Sequence, residues 1–157
     1  MIKEQIISAI KESYNCYHRL ILVVGKSGEG KTTILKELHD EIKIPYINVN
    51  LELSRHLLDL SNRQRKLKVF ECMLKLIDQK DPVTLLDNTE ILFDVNLEQD
   101  PLKLLQLLSR DQCIIAAWNG EISGKMLTYA KQGHQEYRIY ELNDEMVFSL
   151  NENRKSL

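Results

Sequence analysis

The chain has 157 residues, 43% hydrophobic and 28% charged, the balance of one globular domain with a single core and not of a disordered tail. Its formal charge of −2 offers no overall basic field for coating nucleic acid, which leaves only a local patch for that role. No apolar run is long enough to span a bilayer, and the opening MIKEQIISAIKE lacks a signal-peptide core. With three scattered cysteines (Cys16, Cys72, Cys113) and no CxxC pair, no membrane role is expected, and a cytoplasmic setting is.

In chain order, Ile2, Ile6, Ile10, Tyr14 and Tyr17 recur every three or four residues and predict an amphipathic helix over about 1–18. Residues 20–24 (Leu-Ile-Leu-Val-Val) form an unbroken apolar run stopped by Gly25, which predicts a strand buried on both faces, as in parallel sheets. Helical period returns over 31–42 through Ile34, Leu35, Leu38 and Ile42. Residues 45–50 read as a second strand, and 51–79 as helix broken near Ser61 and Asn62. Asp81-Pro82 stops that helix, and residues 83–86 form a third apolar strand closing on Asp87. Asp100-Pro101 has the form of an N-cap with proline at the first helical position, ahead of Leu102, Leu105 and Leu108. Residues 113–118 make a fourth buried strand ending at Asn119-Gly120, 137–142 are the candidate fifth strand, and the polar tail 151–157 is expected to fray. There is no internal repeat or linker, so residues 1–157 read as a single domain. Strand–helix alternation predicts a parallel, doubly wound α/β sheet with right-handed crossovers.

The segment Gly25-Lys26-Ser27-Gly28-Glu29-Gly30-Lys31-Thr32 fits G-x-x-x-x-G-K-[ST] without a mismatch. An anionic phosphate chain has to be wrapped by backbone N–H groups, and glycines allow the close approach and positive φ that this wrapping needs. The following helix, opening with Lys31, Thr32 and Thr33, aims its unpaired amides and positive dipole end at the same phosphates. Lys31 supplies charge to the β- and γ-phosphates, and the Thr32 hydroxyl is the candidate Mg²⁺ ligand. Average residue usage gives roughly one chance match per hundred chains of this length. Because the motif also sits between a buried strand and an amphipathic helix, ATP (or ADP) with Mg²⁺ is the expected ligand.

Metal binding calls for a second group, a carboxylate at the C-terminal end of a neighbouring strand, and Asp87 offers it, reached through water. Asn119 ends the fourth strand, where a neutral amide can touch the γ-phosphate or orient water; the competing reading is an Asn-Gly turn. Asn48 and Asn50, near the end of the second strand, read as caps or as a further face of the site. ATPases of this broad class place a glutamate directly after the magnesium aspartate, where this chain has Asn88. Glu90 is the nearest candidate base if a helical turn begins at Asn88, and a solvated helix-start acid otherwise. Arg55, Arg63, Arg65, Arg110 and Arg138 include candidate arginine fingers, although solvated helix faces are the default. The basic run 63–68 is a candidate contact for nucleic acid or an acidic partner. The four histidines lack metal spacing.

Beyond the phosphate loop, the strings INVNLELSR (47–55), LLDNTEILF (85–93) and AWNG (117–120) resemble the BrxF family, small P-loop proteins of type III BREX phage-defence systems. Asp100-Pro101-Leu102, and Leu127-Thr128-Tyr129-Ala130 before Gly133-His134, resemble it too. The likeness runs over about 20–140. It implies a bacterial antiviral role beside other BREX defence proteins, namely a DNA methyltransferase, a large ATPase and a phosphatase-like protein. Asn88 after the aspartate matches that family's own pattern, so hydrolysis stays open.

The expected architecture is a three-layer P-loop NTPase fold with a mostly parallel five-stranded sheet, of the additional-strand (AAA+/RecA-like) class, without a lid domain. Such an ATPase or ATP-dependent switch has weak closure over its nucleotide, which suggests a homo-oligomer or a partner that completes the site. Two other readings stand beside it: a small-molecule P-loop kinase, and a module that binds nucleotide only for assembly. GTP is disfavoured because no N/T-K-x-D motif is present.

Overall fold

The structure is a computed structural model that describes residues 2–143 and 145–150; the polar tail expected at 151–157 lies outside the described residues. The chain runs α1 (Ile2–Ser13), β1 (Leu20–Gly25), α2 (Lys31–Ile42), β2 (Tyr46–Asn48), α3 (Val49–Leu57), α4 (Asn62–Leu76), β3 (Val83–Asp87), α5 (Pro101–Leu108), β4 (Cys113–Ser123), β5 (Met126–Tyr129), β6 (Arg138–Glu141) and β7 (Met146–Ser149). Two 3-10 turns, Thr89–Phe93 and Val95–Leu97, lie between β3 and α5.

Five strands form a parallel sheet in the order β2-β3-β4-β1-β7. Strand β4 therefore lies between the strand that leads into the phosphate loop and the strand that ends in Asp87. Its register sets Gly25 level with Asn119, while Asn48 pairs with Asp87, so the polar strand ends collect along one sheet edge. Residues Leu20 to Val24 and Cys113 to Trp118 are buried throughout, as strands covered on both faces must be. Alternate side chains feed two cores. Leu20, Leu22, Val24, Leu86, Ile114, Ala116 and Trp118 pack on the α3–α4–α5 side. Ile21, Val23, Leu85, Ile115 and Ala117 pack on the side of α1 and α2. The result is three layers, with each fully buried aliphatic side chain contributing about 1.5–3 kcal/mol by leaving water.

Local chemistry sets the helix ends. Asn48 accepts from the Leu51 amide at 3.1 Å and caps α3, and Asn50 lies inside that helix. Ser61 and Gln64 form a reciprocal capping box that starts α4. Asp100 accepts from the Lys103 amide ahead of Pro101 in α5. Lys43 closes α2 in the left-handed region, its N–H donating to His39 O at 3.0 Å.

Three expectations are corrected. The first helix ends at Ser13, short of residue 18: the Ser13 hydroxyl donates to Ile10 O at 2.6 Å, and Tyr14 and Tyr17 are 50% and 65% exposed, carrying Arg19 and Arg110 over their rings. Strand β4 does not stop at Asn119-Gly120 but continues to Ser123, pairing antiparallel with β5, which pairs with β6. The fifth parallel strand is β7, not 137–142. Arg138–Glu141 alternates half-buried with exposed residues, as suits a hairpin strand, whereas Met146–Phe148 is an apolar run that fits beside β1. Among the described residues between Asn119 and Ser149 there is no helix.

Candidate functional site

The phosphate loop is built by its glycines. Gly28 (φ 83°) and Gly30 (φ 99°) sit where residues with a Cβ are strained, and no atom within 4 Å would block a Cβ at either. The constraint is conformational, and it leaves an open concavity at the N-terminus of α2. Inside the loop, the Lys26 amide donates to the Glu29 carboxylate and the Glu29 amide to Lys26 O at 3.1 Å. Lys31 is 7% exposed, with its Nζ donating to Gly25 O and Lys26 O, each at 2.9 Å. Burial lowers the Lys31 pKa from the ordinary lysine value, while the nearby carboxylates of Glu90, Asp87 and Glu29 act in the opposite sense.

Facing the loop, the Thr32 hydroxyl donates to Asp87 Oδ2 at 2.7 Å, and the Asn88 amide donates to Asp87 Oδ1 at 2.9 Å. The chain then turns sharply because Asn88 takes a left-handed conformation (φ 52°), and Thr89 donates to Ala117 O at 2.6 Å, pinning the 3-10 turn to β4. The turn starts one residue later than anticipated, and it aims Glu90 into the cleft. There Asn119 Nδ2 donates to Glu90 Oε1 at 2.6 Å, while the buried Asn119 Oδ1 has no partner. Asn119 is thus a strand residue facing Glu90, and the turn reading of Asn119-Gly120 is withdrawn.

A cleft of about 280 Å³ is lined by Ser27, Gly28, Gly30, Lys31, Thr32, Thr33, Asp87, Asn88, Glu90 and Asn119. Gly25, Lys26 and Glu29 do not line it: Gly25 ends β1, and Lys26 pairs with Glu121 at 2.7 Å. A second cavity of about 550 Å³ shares Ser27 and Asn119 with the first and runs under the β4–β5 hairpin. The oxygen donors of Thr32 and Asp87 suit a hard divalent cation such as Mg²⁺, and the N–H-lined concavity with Lys31 suits a polyphosphate.

Sequence reasoning passed over Tyr46. From β2 its hydroxyl donates to Asp87 Oδ2 at 2.5 Å, and burial together with that bond raises its pKa. Nothing in the local pattern marks it, since the contact spans 41 positions and depends on the β2–β3 register.

No arginine lines the cleft among the described residues. Arg65 donates to Leu57 O, Leu60 O and Leu58 O behind α3, Arg138 donates to Gln99 O, Arg55 pairs with Glu52, and Arg110 bonds Tyr17. The basic run 63–68 is split in the same way, because Lys66 pairs with Glu98 at 3.1 Å. Among the described residues no group of three or more His, Cys, Asp or Glu side chains is placed to hold a metal, and no helix is long and apolar enough to cross a membrane.

No family model matches the chain, and no curated protein matches it. Solved structures do. One of PCH-2 from C. elegans is 17% identical over 94% of this chain and 41% of its own, with a TM-score of 0.50. A DNA replication initiation factor is 16% identical over 98% and 48%, with a TM-score of 0.46. Drosophila ORC bound to DNA is 19% identical over 94% and 41%, with a TM-score of 0.44. The chain spans less than half the length of each of these structures. At such identities the likeness concerns fold alone, and it agrees with the strand order: this is a P-loop NTPase fold of the additional-strand (AAA+/RecA-like) class.

Proposed function

We propose that the chain binds ATP with Mg²⁺ in the Gly25–Thr32 loop and acts as a slow ATPase or ATP-dependent switch within a bacterial BREX phage-defence complex. One observation carries the catalytic part: Lys31, the Thr32–Asp87 pair and the Glu90–Asn119 pair all face one cleft. The defence context is supported by the motif strings alone.

In this reading the loop amides and the α2 N-terminus take the phosphate oxygens, and Lys31 Nζ exchanges the carbonyls of Gly25 and Lys26 for the β- and γ-phosphates. Thr32 and Asp87 would hold the Mg²⁺, which when bound neutralises phosphate charge. Water attacks the γ-phosphorus, the bond to the β–γ bridging oxygen breaks, and Glu90 accepts the water's proton. The Asn119 amide holds Glu90 through Nδ2, while its Oδ1 is buried.

The experiment is phosphate release and ATP binding for wild type, Lys31→Ala, Asp87→Ala and Glu90→Gln. Binding retained with turnover lost in Glu90→Gln supports the assignment, and unaltered turnover there refutes it. Strong ATP stabilisation without turnover in wild type favours the assembly module. A second reading, a small-molecule kinase, draws on the 550 Å³ cavity beside Ser27 and Asn119, which has room for an acceptor. A screen for phosphoryl transfer to nucleosides and nucleotides separates the two. The lack of an arginine in the cleft, among the described residues, supports completion by a homo-oligomer or defence partner. Light scattering with and without ATP tests the former, and a monomer under both conditions counts against it.

A further inference from the structure

We infer that Tyr46 is a positioning residue for the metal carboxylate, coupling Mg²⁺ binding to nucleotide binding. The inference rests on the reading of Asp87 as the magnesium aspartate. Asp87 is 2% exposed, and its four acceptor positions are largely assigned. Oδ2 takes two hydrogen bonds, from Thr32 at 2.7 Å and Tyr46 at 2.5 Å. Oδ1 takes the Asn88 amide at 2.9 Å. One acceptor position remains, on Oδ1, which suits a carboxylate that meets a cation through one of its water ligands.

The three donors differ in kind. Thr32 belongs to the phosphate loop and Asn88 to the chain immediately after Asp87, so both come with the motif. Tyr46 comes from β2, next to β3 in the sheet, and reaches Asp87 only because Tyr46 pairs with Leu85 and Asn48 with Asp87. Its partly buried ring packs against the core on the α2 side of the sheet, with Lys36 Nζ 5.8 Å from its centroid and the His39 ring 6.3 Å away. The phenol is thereby fixed from a rigid element, and it locks one rotation of the carboxylate. Without it, Oδ2 keeps only the hydroxyl of Thr32, the group that must also present a lone pair to the metal. A single mobile hydroxyl would then serve both ends.

Outer-shell partners of this type are worth about 10- to 100-fold in metal affinity or activity. The test is the ratio of ATPγS dissociation constants in EDTA and in saturating Mg²⁺, measured for wild type, Tyr46→Phe and Asp87→Asn with circular dichroism as the folding control. Tyr46→Phe removes one oxygen and keeps the ring. Its ratio should fall by about tenfold or more, while the constant in EDTA stays within about twofold of wild type, a pattern that a merely structural tyrosine would not produce. A ratio within about twofold of wild type, with or without a lower Tm, overturns the role of Tyr46. If Asp87→Asn also leaves the ratio unchanged, the metal-site reading itself fails. If Asp87→Asn collapses the ratio and Tyr46→Phe does not, only the present inference fails. Tyr46→His, which lacks the phenolic reach, carries the same expectation should the phenylalanine variant not fold.

Discussion

Replacing Gly120 with alanine perturbs the strand that carries Asn119. Gly120 faces Tyr129 across the β4–β5 pair, and a Cβ there would lie 1.8 Å from Thr128 O, where side-chain carbons do not come within 3.0 Å. Relief requires backbone movement, since both partners are main chain. The same carbonyl accepts the Trp118 indole N–H at 3.0 Å, so a retreating Thr128 also leaves that buried donor unpaired. Overpacking costs about 1–3 kcal/mol, and a buried orphan donor about 1–3 kcal/mol more. For a chain of this size that predicts a Tm lower by roughly 5–20 °C. Trp118 is the only tryptophan and is fully buried against Phe93 and Tyr129, so its fluorescence reports on this strand directly. Thermal unfolding of Gly120→Ala followed by circular dichroism and tryptophan emission should show a lower Tm and a red-shifted native spectrum. A Tm within about 2 °C of wild type, with unchanged emission, would refute the claim that Gly120 serves strand approach.

Lys31→Ala should weaken ATP binding roughly 10- to 100-fold by titration calorimetry, the worth of a hydrogen-bonded charge. Glu90→Gln should bind ATP as wild type does and release phosphate about 100-fold or more slowly in single-turnover assays. For pH, folding lowers the Lys31 pKa, so the unfolded chain binds more protons and the folded state is penalised below the folded pKa. That penalty fades as pH rises toward 10.5, so the stability of wild type relative to Lys31→Met should improve between pH 7 and pH 10 in urea titrations, and an opposite trend counts against it. Burial holds the Cys113 thiol up at about 11, and Cys72 is also buried; Ellman's reagent should therefore label Cys16 in the native protein and the other two only on unfolding.

The parts legible in the sequence are those whose causes are local. The run from Leu20 to Val24 can only be a strand buried on both sides, the glycines of 25–30 can only be a turn, and α2 spans the anticipated 31–42. Asp87 follows from strand polarity in an open α/β sheet, Asp100-Pro101 from capping chemistry, and the break near Ser61 from the loss of helical period. The misses are tertiary. Tyr14 and Tyr17 keep helical spacing but lie on arginines outside the helix. Asn119-Gly120 has the composition of a turn, yet the glycine is used for close approach of two strands, which spacing along one strand does not reveal. Glu90 is not a miss, since the sequence names it as one of two readings and it lines the cleft, but its route there, through a left-handed Asn88, has no apolar pattern to announce it. Tyr46 reaches Asp87 through sheet register, invisible until β2 and β3 are paired.

The most direct test of the central claim is a crystal structure of the protein grown with ATPγS and Mg²⁺. The account predicts a triphosphate wrapped by residues 25–32, with Lys31 Nζ moved onto it and a metal held by Thr32 within one water of Asp87. A nucleotide bound elsewhere, or a metal with Asp87 turned away from it, would contradict the account.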